Sequence, residues 1–403
     1  MKVLFISGMY PLPNNKAAGI FIMHRLRELA KEEVDFYTIA PVVSESRTLF
    51  AVRSLIRRKL DNTFESIDWL GQDDVGFNVF KVKQTVFKKA IDFFFNDTAF
   101  VEAATDLLES AFEATSFDMI VCHWLYPHGY IAKKLAARLK IPYLVTAHGS
   151  DVNVLPRKSK AIARRIVQVL EAADKSIFVS NRLLENAKKL GYKGDNAVVI
   201  PNGIKSEYFN ISMDRDSRLL ARGETRTVGF VGNLIDIKRA DKLPRIFLEI
   251  RKMRQDTEFI VVGDGELRHN ICKQCEDYQL PVNFVGRVLP DQVPNYMNLM
   301  DVLVLPSRNE GWPCVVLEAQ ACGVPVVGSD NGGIPEAIGE GGSVVPDGEN
   351  FEERFAKAVV EILKNPIDPQ ELRKRAVQFD WSITVGKEIE VYKDVLSNRK
   401  SAK

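Results

Sequence analysis

Apolar runs of four to eight residues recur along the whole chain, separated by segments with apolar positions three or four apart. "KVLFIS", "VDFYTIAP", "FDMIVCHW", "PYLVTAHG", "KSIFVS" and "NAVVIPNG" read as strands, and "FIMHRLRELAKE" reads as an amphipathic helix. The strands are apolar nearly throughout rather than alternating, and each ends in a Gly, Ser, Asn or His loop. Parallel strands covered on both faces have this composition. The pattern restarts near residue 227 with "TVGFVGN", "EFIVVGDG", "VNFVGR", "DVLVLPS" and "PVVGSD". Two successive βα series predict an α/β protein of two doubly wound, Rossmann-like domains facing one another across a cleft. The expected boundaries are 1–205 and 206–375, with a polar linker at 206–226. A last helix in 376–403, "WSITVGKEIEVYKDVLSN", is expected to pack back across both domains.

Length and composition agree with this. The chain has 403 residues, 46% apolar and 27% charged, enough for two domains that each bury a core. The longest apolar runs fall short of the roughly 18 residues a membrane span needs. "MKVLFISGMYPL" is too short for a signal-peptide core and reads as a first buried strand, so a cytoplasmic location is expected. The cysteines are Cys122, Cys272, Cys275, Cys314 and Cys322. An odd count in a long chain does not suggest a disulfide framework, and the lone Cys272–Cys275 pair lacks the partners of a zinc site.

Charge is uneven although the net is only +2. Residues 1–205 hold 29 Lys/Arg against 22 Asp/Glu, and the remainder 26 against 31. A basic first half suits an acidic partner, such as a lipid surface or a phosphorylated acceptor. Nucleic acid is the weaker choice, because no binding motif accompanies the charge. "LFAVRSLIRRKL" and "TVFKKAIDFFFN" are basic and amphipathic, which fits either peripheral contact with an anionic membrane or solvated helix faces.

Candidate chemistry gathers at strand ends, where open α/β sheets bind ligands. In the second half these are Gly232-Asn233, Gly263 to Glu266, Gly286 to Val288, Ser307 to Pro313 and Asp330 to Pro335. In "SRNEGWPCVVLEAQACG", Pro313 suits the first turn of a helix that stops at Gly323. Glu310 then sits on the loop and Glu318 along the helix. N–H groups of the first turn, near Cys314 to Val316, can receive a phosphate. Two acids flanking such a site would accept hydrogen bonds from hydroxyls on either side, the layout of a sugar joined through a diphosphate to a nucleoside. Two ordinary surface glutamates would give the same letters.

The segment resembles the E-x7-E signature of retaining glycosyltransferases of family four, which have the GT-B fold. The resemblance spans nearly the whole chain, through "GNLIDIK", "VVGDGEL", "VNFVGRV", "DVLVLPSRNEGWPCVVLEA", "GVPVVGSDNGGIPE", "IPNGI", "HWLYPHG", "VTAHGSD" and the "GIF" after "PLPNNKAA". It implies that Glu318 binds the donor ribose and that Glu310, with the Gly311, Trp312, Pro313 and Cys314 loop, holds the transferred sugar. It implies that Lys238 and the backbone N–H of Gly19 meet the diphosphate, that Val288 contacts the base through its backbone, and that His148 lies near the anomeric carbon. Asn233 stands where the family has Arg, which removes a bidentate cation and leaves more to Lys238, or to Arg239 or Arg287. Trp312 occupies a position usually aromatic in the family, which suits packing.

The reaction implied is transfer of a hexose from a UDP- or GDP-linked sugar to a glycan or lipid-linked acceptor with retention. The resemblance is greatest to enzymes of bacterial surface polysaccharide synthesis. No cofactor and no metal are expected, since no Asp-x-Asp motif stands at a strand end and cationic side chains can neutralise the leaving group. His123 and Asp151 are candidates for the acceptor side. His123 and His128 could equally structure their loop, and Asp151 could cap the following helix. His24 and His269 read as helix-surface residues. The alternatives are a nucleotide-sugar epimerase or hydrolase on the same fold, or a non-catalytic two-lobed sugar-binding protein.

Overall fold

The computed structural model describes residues 1–10, 19–32, 34–44, 78–83, 97–112, 116–213, 221 and 223–401. The two basic amphipathic segments and "PLPNNKAA" lie outside them. Two compact units emerge, one of Met1–Ile200 with Val385–Lys403 and one of Pro201–Thr384.

The first unit is a parallel sheet with strands β1 (Lys2–Ser7), β2 (Asp35–Ser44), β3 (Asn78–Lys83), β4 (Met119–His123), β5 (Tyr143–Ala147), β6 (Lys175–Phe178) and β7 (Ala197–Val199). Its order is β3-β2-β1-β4-β5-β6-β7. Its helices are α1 (Ile20–Leu29), α2 (Thr98–Ala111), α3 (Tyr130–Leu139), α4 (Ser150–Asn153), α5 (Lys160–Ala172) and α6 (Asn181–Lys189). Strands β4 and β5 are buried at every position, as apolar runs covered on both faces must be. Two of these helices start where a side chain serves the open N–H groups: Ser159 accepts from Ala161 N at α5 and Ser180 from Leu183 N at α6.

The second unit is also parallel, with β8 (Arg226–Val231), β9 (Thr257–Val262), β10 (Val282–Gly286), β11 (Val302–Leu305), β12 (Val326–Ser329) and β13 (Gly342–Val345) in the order β10-β9-β8-β11-β12-β13. Helices α7 (Leu243–Met253), α8 (Arg268–Asp277), α9 (Val293–Met297), α10 (Cys314–Ala321), α11 (Ile334–Ile338), α12 (Phe351–Lys364) and α13 (Pro369–Ala376) surround it. Its core includes Phe230, Phe247, Phe259 and Phe355. A last helix, α14 (Trp381–Ser401), begins in this unit, and its residues from Val385 onward belong to the first. At its start Trp381 N donates to Ile204 O at 3.0 Å. A side chain in place of Gly203 would put Cβ 2.8 Å from Trp381, so only glycine allows that approach.

In both sheets the strand order reverses once, between β1 and β4 and between β8 and β11. At such a switch point the loops diverge to opposite faces and leave a crevice beyond the strands' carboxyl ends. Ser7 pairs with His123 at the first and Val302 with Val228 at the second. Strands β3 and β13 escape the hydrophobic pattern, because "NVFKVK" alternates and "GSVV" has only two large apolar residues.

Candidate active site

In the second unit the loop after β8 turns at Gly232, passes exposed Asn233, and forms a single 3-10 turn, Asp236–Lys238. This turn is tied to the loop after β11 where Arg308 N donates to Ile237 O at 2.8 Å. Lys238 Nζ donates to Glu310 Oε1 at 2.6 Å, with both side chains largely covered. Glu310 is held through its backbone as well, since Gly333 N donates to Glu310 O at 2.9 Å. Gly332 has φ +57°, and a Cβ there would lie 2.0 Å from Glu310 O, so the Asn331–Gly333 turn closes directly on Glu310. Loop stacking continues along the sheet edge. Gly263 would clash with Gly232 O at 1.9 Å if it carried a Cβ.

Helix α10 begins after Pro313, whose extended backbone places it at the N-cap. The first turn of α10 departs from the sequence expectation at one position. The N–H of Val316 does not stand open, because it donates to Pro313 O at 3.0 Å in a tightened first turn. Glu318 lies one turn along the helix, partly covered. Burial pushes its carboxyl up to about 7, and the nearby Lys238 charge opposes that rise. One lysine therefore acts on both glutamates. Trp312 is buried against Phe379, with ring centroids 5.5 Å apart. Val288 follows β10 and is partly covered.

The cations named as substitutes for the arginine absent at 233 are placed differently. Arg239 grips Asp347 with both guanidinium nitrogens, Nη2 to Oδ2 at 2.8 Å, and that bond holds Asp347 below the usual carboxylate range. It is thus committed to the β13 loop. Arg287 is exposed on the β10 loop.

In the first unit Gly19 is the N-cap of α1, at φ +61°. A Cβ there would meet Tyr10 N at 2.7 Å, which ties this turn to the loop after β1. The same loop holds Gly8 over the His128 ring, where a Cβ would lie 2.0 Å from it. His128 is lowered to about 4 by burial. His123 ends β4 fully buried and stacks on Phe5 with centroids 4.7 Å apart. His148 follows β5, packed against Phe21 and Trp124. The two histidines meet, His123 Nδ1 to His148 Nε2 at 2.8 Å. Burial lowers both well below the usual imidazole range, and the Arg25 charge lowers them further. Asp151 is fully buried, and its carboxylate accepts from the backbone N–H groups of His148, Gly149 and Leu125 at 2.8–3.3 Å. Burial raises its carboxyl and these bonds oppose the rise.

Two pairings were announced by no motif, although Lys238 and Glu310 each lie within one. One is Lys238 against Glu310, 72 residues apart. The other is the buried Arg25–Glu388 pair, 363 residues apart. Each of that pair falls in an apolar stripe of its helix: Ile22, Leu26 and Leu29 flank Arg25, and Val385, Ile389 and Tyr392 flank Glu388. A charge at a core position of an amphipathic pattern is the signal that marks them.

Residues 70–208 match the family described as "Glycosyltransferase Family 4", and residues 225–365 match "Glycosyl transferases group 1". The chain is a glycosyltransferase of family four, with the GT-B fold. It is 28% identical over 356 residues to "Putative teichuronic acid biosynthesis glycosyltransferase TuaC" of Bacillus subtilis (strain 168), covering 84% of each chain. It is 26% identical to "N-acetyl-alpha-D-glucosaminyl L-malate synthase" of Bacillus anthracis, over 72% of this chain and 77% of that one. Among solved structures, HepE of Anabaena in complex with UDP superposes with a TM-score of 0.71 at 17% identity, covering 98% of this chain and all (100%) of that one. Sucrose-phosphate synthase of Thermosynechococcus elongatus does so with 0.70 at 18%, covering 99% and 100%. Among the described residues no helix is long and apolar enough to cross a membrane.

Proposed function

We propose that the chain transfers a hexose from a nucleoside-diphosphate sugar, UDP- or GDP-linked, to a hydroxyl of a glycan or lipid-linked acceptor, with retention at the anomeric carbon. The observation that carries this reading is Lys238, bonded to Glu310 and acting on Glu318 at the start of α10. It puts one cation and two carboxylates at a helix N-terminus, beside the β8/β11 switch point. A diphosphate suits the cation and the helix start. The ribose hydroxyls suit Glu318 and the sugar hydroxyls suit Glu310. That HepE was solved with UDP, and in a second structure with UDP-glucose, supports a nucleotide-sugar donor. The relation to TuaC supports a role in surface polysaccharide synthesis.

In the proposed step the acceptor oxygen bonds to the anomeric carbon on the face from which the phosphate oxygen departs. The acceptor proton passes to that phosphate oxygen. Lys238 neutralises the charge left on the diphosphate, so no metal ion is required. Glu310 orients the sugar and forms no covalent bond to it. Asp151 holds the His148 loop, and His148 faces the reacting sugar. Product analysis tests this directly. With a chelator present, Glu310→Gln should retain measurable transfer and give the same anomer as the starting chain. A glycosyl group trapped on Glu310, or inversion in the product, would contradict it.

A further inference from the structure

Behind His148 lies a chain of buried polar groups that the transfer step does not use, all within the first unit. Arg25 on α1 is 0% exposed, and its Nε donates to Glu388 Oε1 on α14 at 2.9 Å. Tyr392, one turn further along α14, donates its hydroxyl to Glu388 Oε2 at 3.2 Å. On its other side Arg25 Nη1 approaches His123 Nδ1 at 3.5 Å, and that nitrogen bonds His148 Nε2 at 2.8 Å. Arg25 thus stands between a carboxylate that fixes it and the first of two coupled imidazoles. A buried ion pair of this kind is costly to form and is weak evidence for stability alone.

Guanidinium has five N–H donors and no acceptor. If His123 carried its proton on Nδ1, the positive end of that N–H would lie beside the guanidinium charge. If Nδ1 instead carries a lone pair, both the charge and the short bond from His148 are favourable. The proton in the 2.8 Å bond then belongs to His148 Nε2, and a neutral His148 must keep its own lone pair on Nδ1. Among the described residues that Nδ1 is buried with no hydrogen-bond partner from the protein. On His123 the arrangement leaves Nε2 as an N–H, also without a partner, which is the cost it carries.

We propose that Arg25, anchored by Glu388, sets the tautomers of His123 and His148, so that His148 offers an Nδ1 lone pair to a substrate hydroxyl. Arg25, Glu388 and His123 are positioning residues. Among the described residues, titratable groups near the pair include Asp151, held by backbone N–H groups, Cys122 on β4 and Tyr392 on α14. The proposal rests on the reading of His148 as a reaction-centre group.

The test is nitrogen NMR of the full chain labelled with 15N-histidine, beside steady-state kinetics. In the starting chain His148 should show a protonated Nε2 and an unprotonated Nδ1 at neutral pH. Arg25→Met leaves Glu388 buried without its partner and risks unfolding, so the second variant is Arg25→Met with Glu388→Met, which removes both charges together. In that variant the His148 signals should shift to mixed or reversed tautomers. Its kcat should fall by about tenfold to a hundredfold, by analogy with the loss of partners that orient metal-bound histidines, with the donor KM nearly unchanged. Arg25→Lys should recover part of both. A starting chain with His148 protonated at Nδ1, or a double variant with unaltered tautomers, would overturn the relay. The spectra are read without any sugar donor. Predicted spectra from a chain that transfers no sugar would therefore support the relay and contradict only the functional reading.

Discussion

Glu318 shows how much one side chain's surroundings set its chemistry. Burial pushes its carboxyl up to about 7, against roughly 4.3 in an unfolded chain. Below about pH 4 both states hold the proton and folding meets no penalty. As pH rises, the unfolded chain releases its proton first, so stability falls from about pH 4.3 to 7 and levels off above. Glutamine carries no such penalty. Glu318→Gln should match the starting chain in Tm at pH 4 and exceed it at pH 8. An offset independent of pH would refute that burial effect. Gly332 is the second sensitive position. With φ +57° and Glu310 O 2.0 Å from where a Cβ would fall, Gly332→Ala must displace the Glu310 backbone. We expect a loss of about 1–3 kcal/mol in stability and weaker donor binding, read by denaturant unfolding and by titration with UDP- and GDP-linked sugars. Unchanged donor affinity would show that the Gly332 contact does not place Glu310.

Helix α10 and the 3-10 turn at Lys238 act together. The helix is buried on most of its surface, so its start is fixed by packing, and the turn brings Lys238 to Glu310. Lys238→Met removes the cation and leaves Glu310 without its partner. Transfer should fall about a hundredfold to a thousandfold, as when a charge-stabilising donor is lost, and Lys238→Arg should recover part of it. A Lys238→Met chain with ordinary kcat would remove Lys238 from the mechanism. The elements carrying these residues were legible because long apolar strands and glycine-punctuated loops follow from backbone and burial rules. Val316 was not, because a first-turn N–H bonded to Pro313 O depends on how tightly that turn winds. The Arg25–Glu388 pair was hidden for another reason. Its partners lie at opposite ends of the chain, and only folding shows that two charges in apolar stripes face each other.

At the scale of the molecule, each unit is a parallel sheet with one reversal of strand order, and the candidate chemistry stands at each reversal. In the first unit that chemistry is His123 and His148, reached from β4 and β5. In the second it is Lys238, Glu310 and Glu318, reached from β8, β11 and α10. This placement follows from how loops diverge at a switch point. The basic surplus of residues 1–205 belongs to the same scale and suits an acidic acceptor. The central claim, that a nucleoside-diphosphate sugar is held with its ribose on Glu318, its diphosphate beside Lys238 and its sugar on Glu310, is tested most directly by calorimetric titration of UDP- and GDP-linked sugars. The starting chain should bind at least one of them, and Glu310→Gln with Glu318→Gln should bind it more than about tenfold more weakly, a loss of roughly 1.4 kcal/mol or more. Equal affinity in the two proteins would contradict the claim.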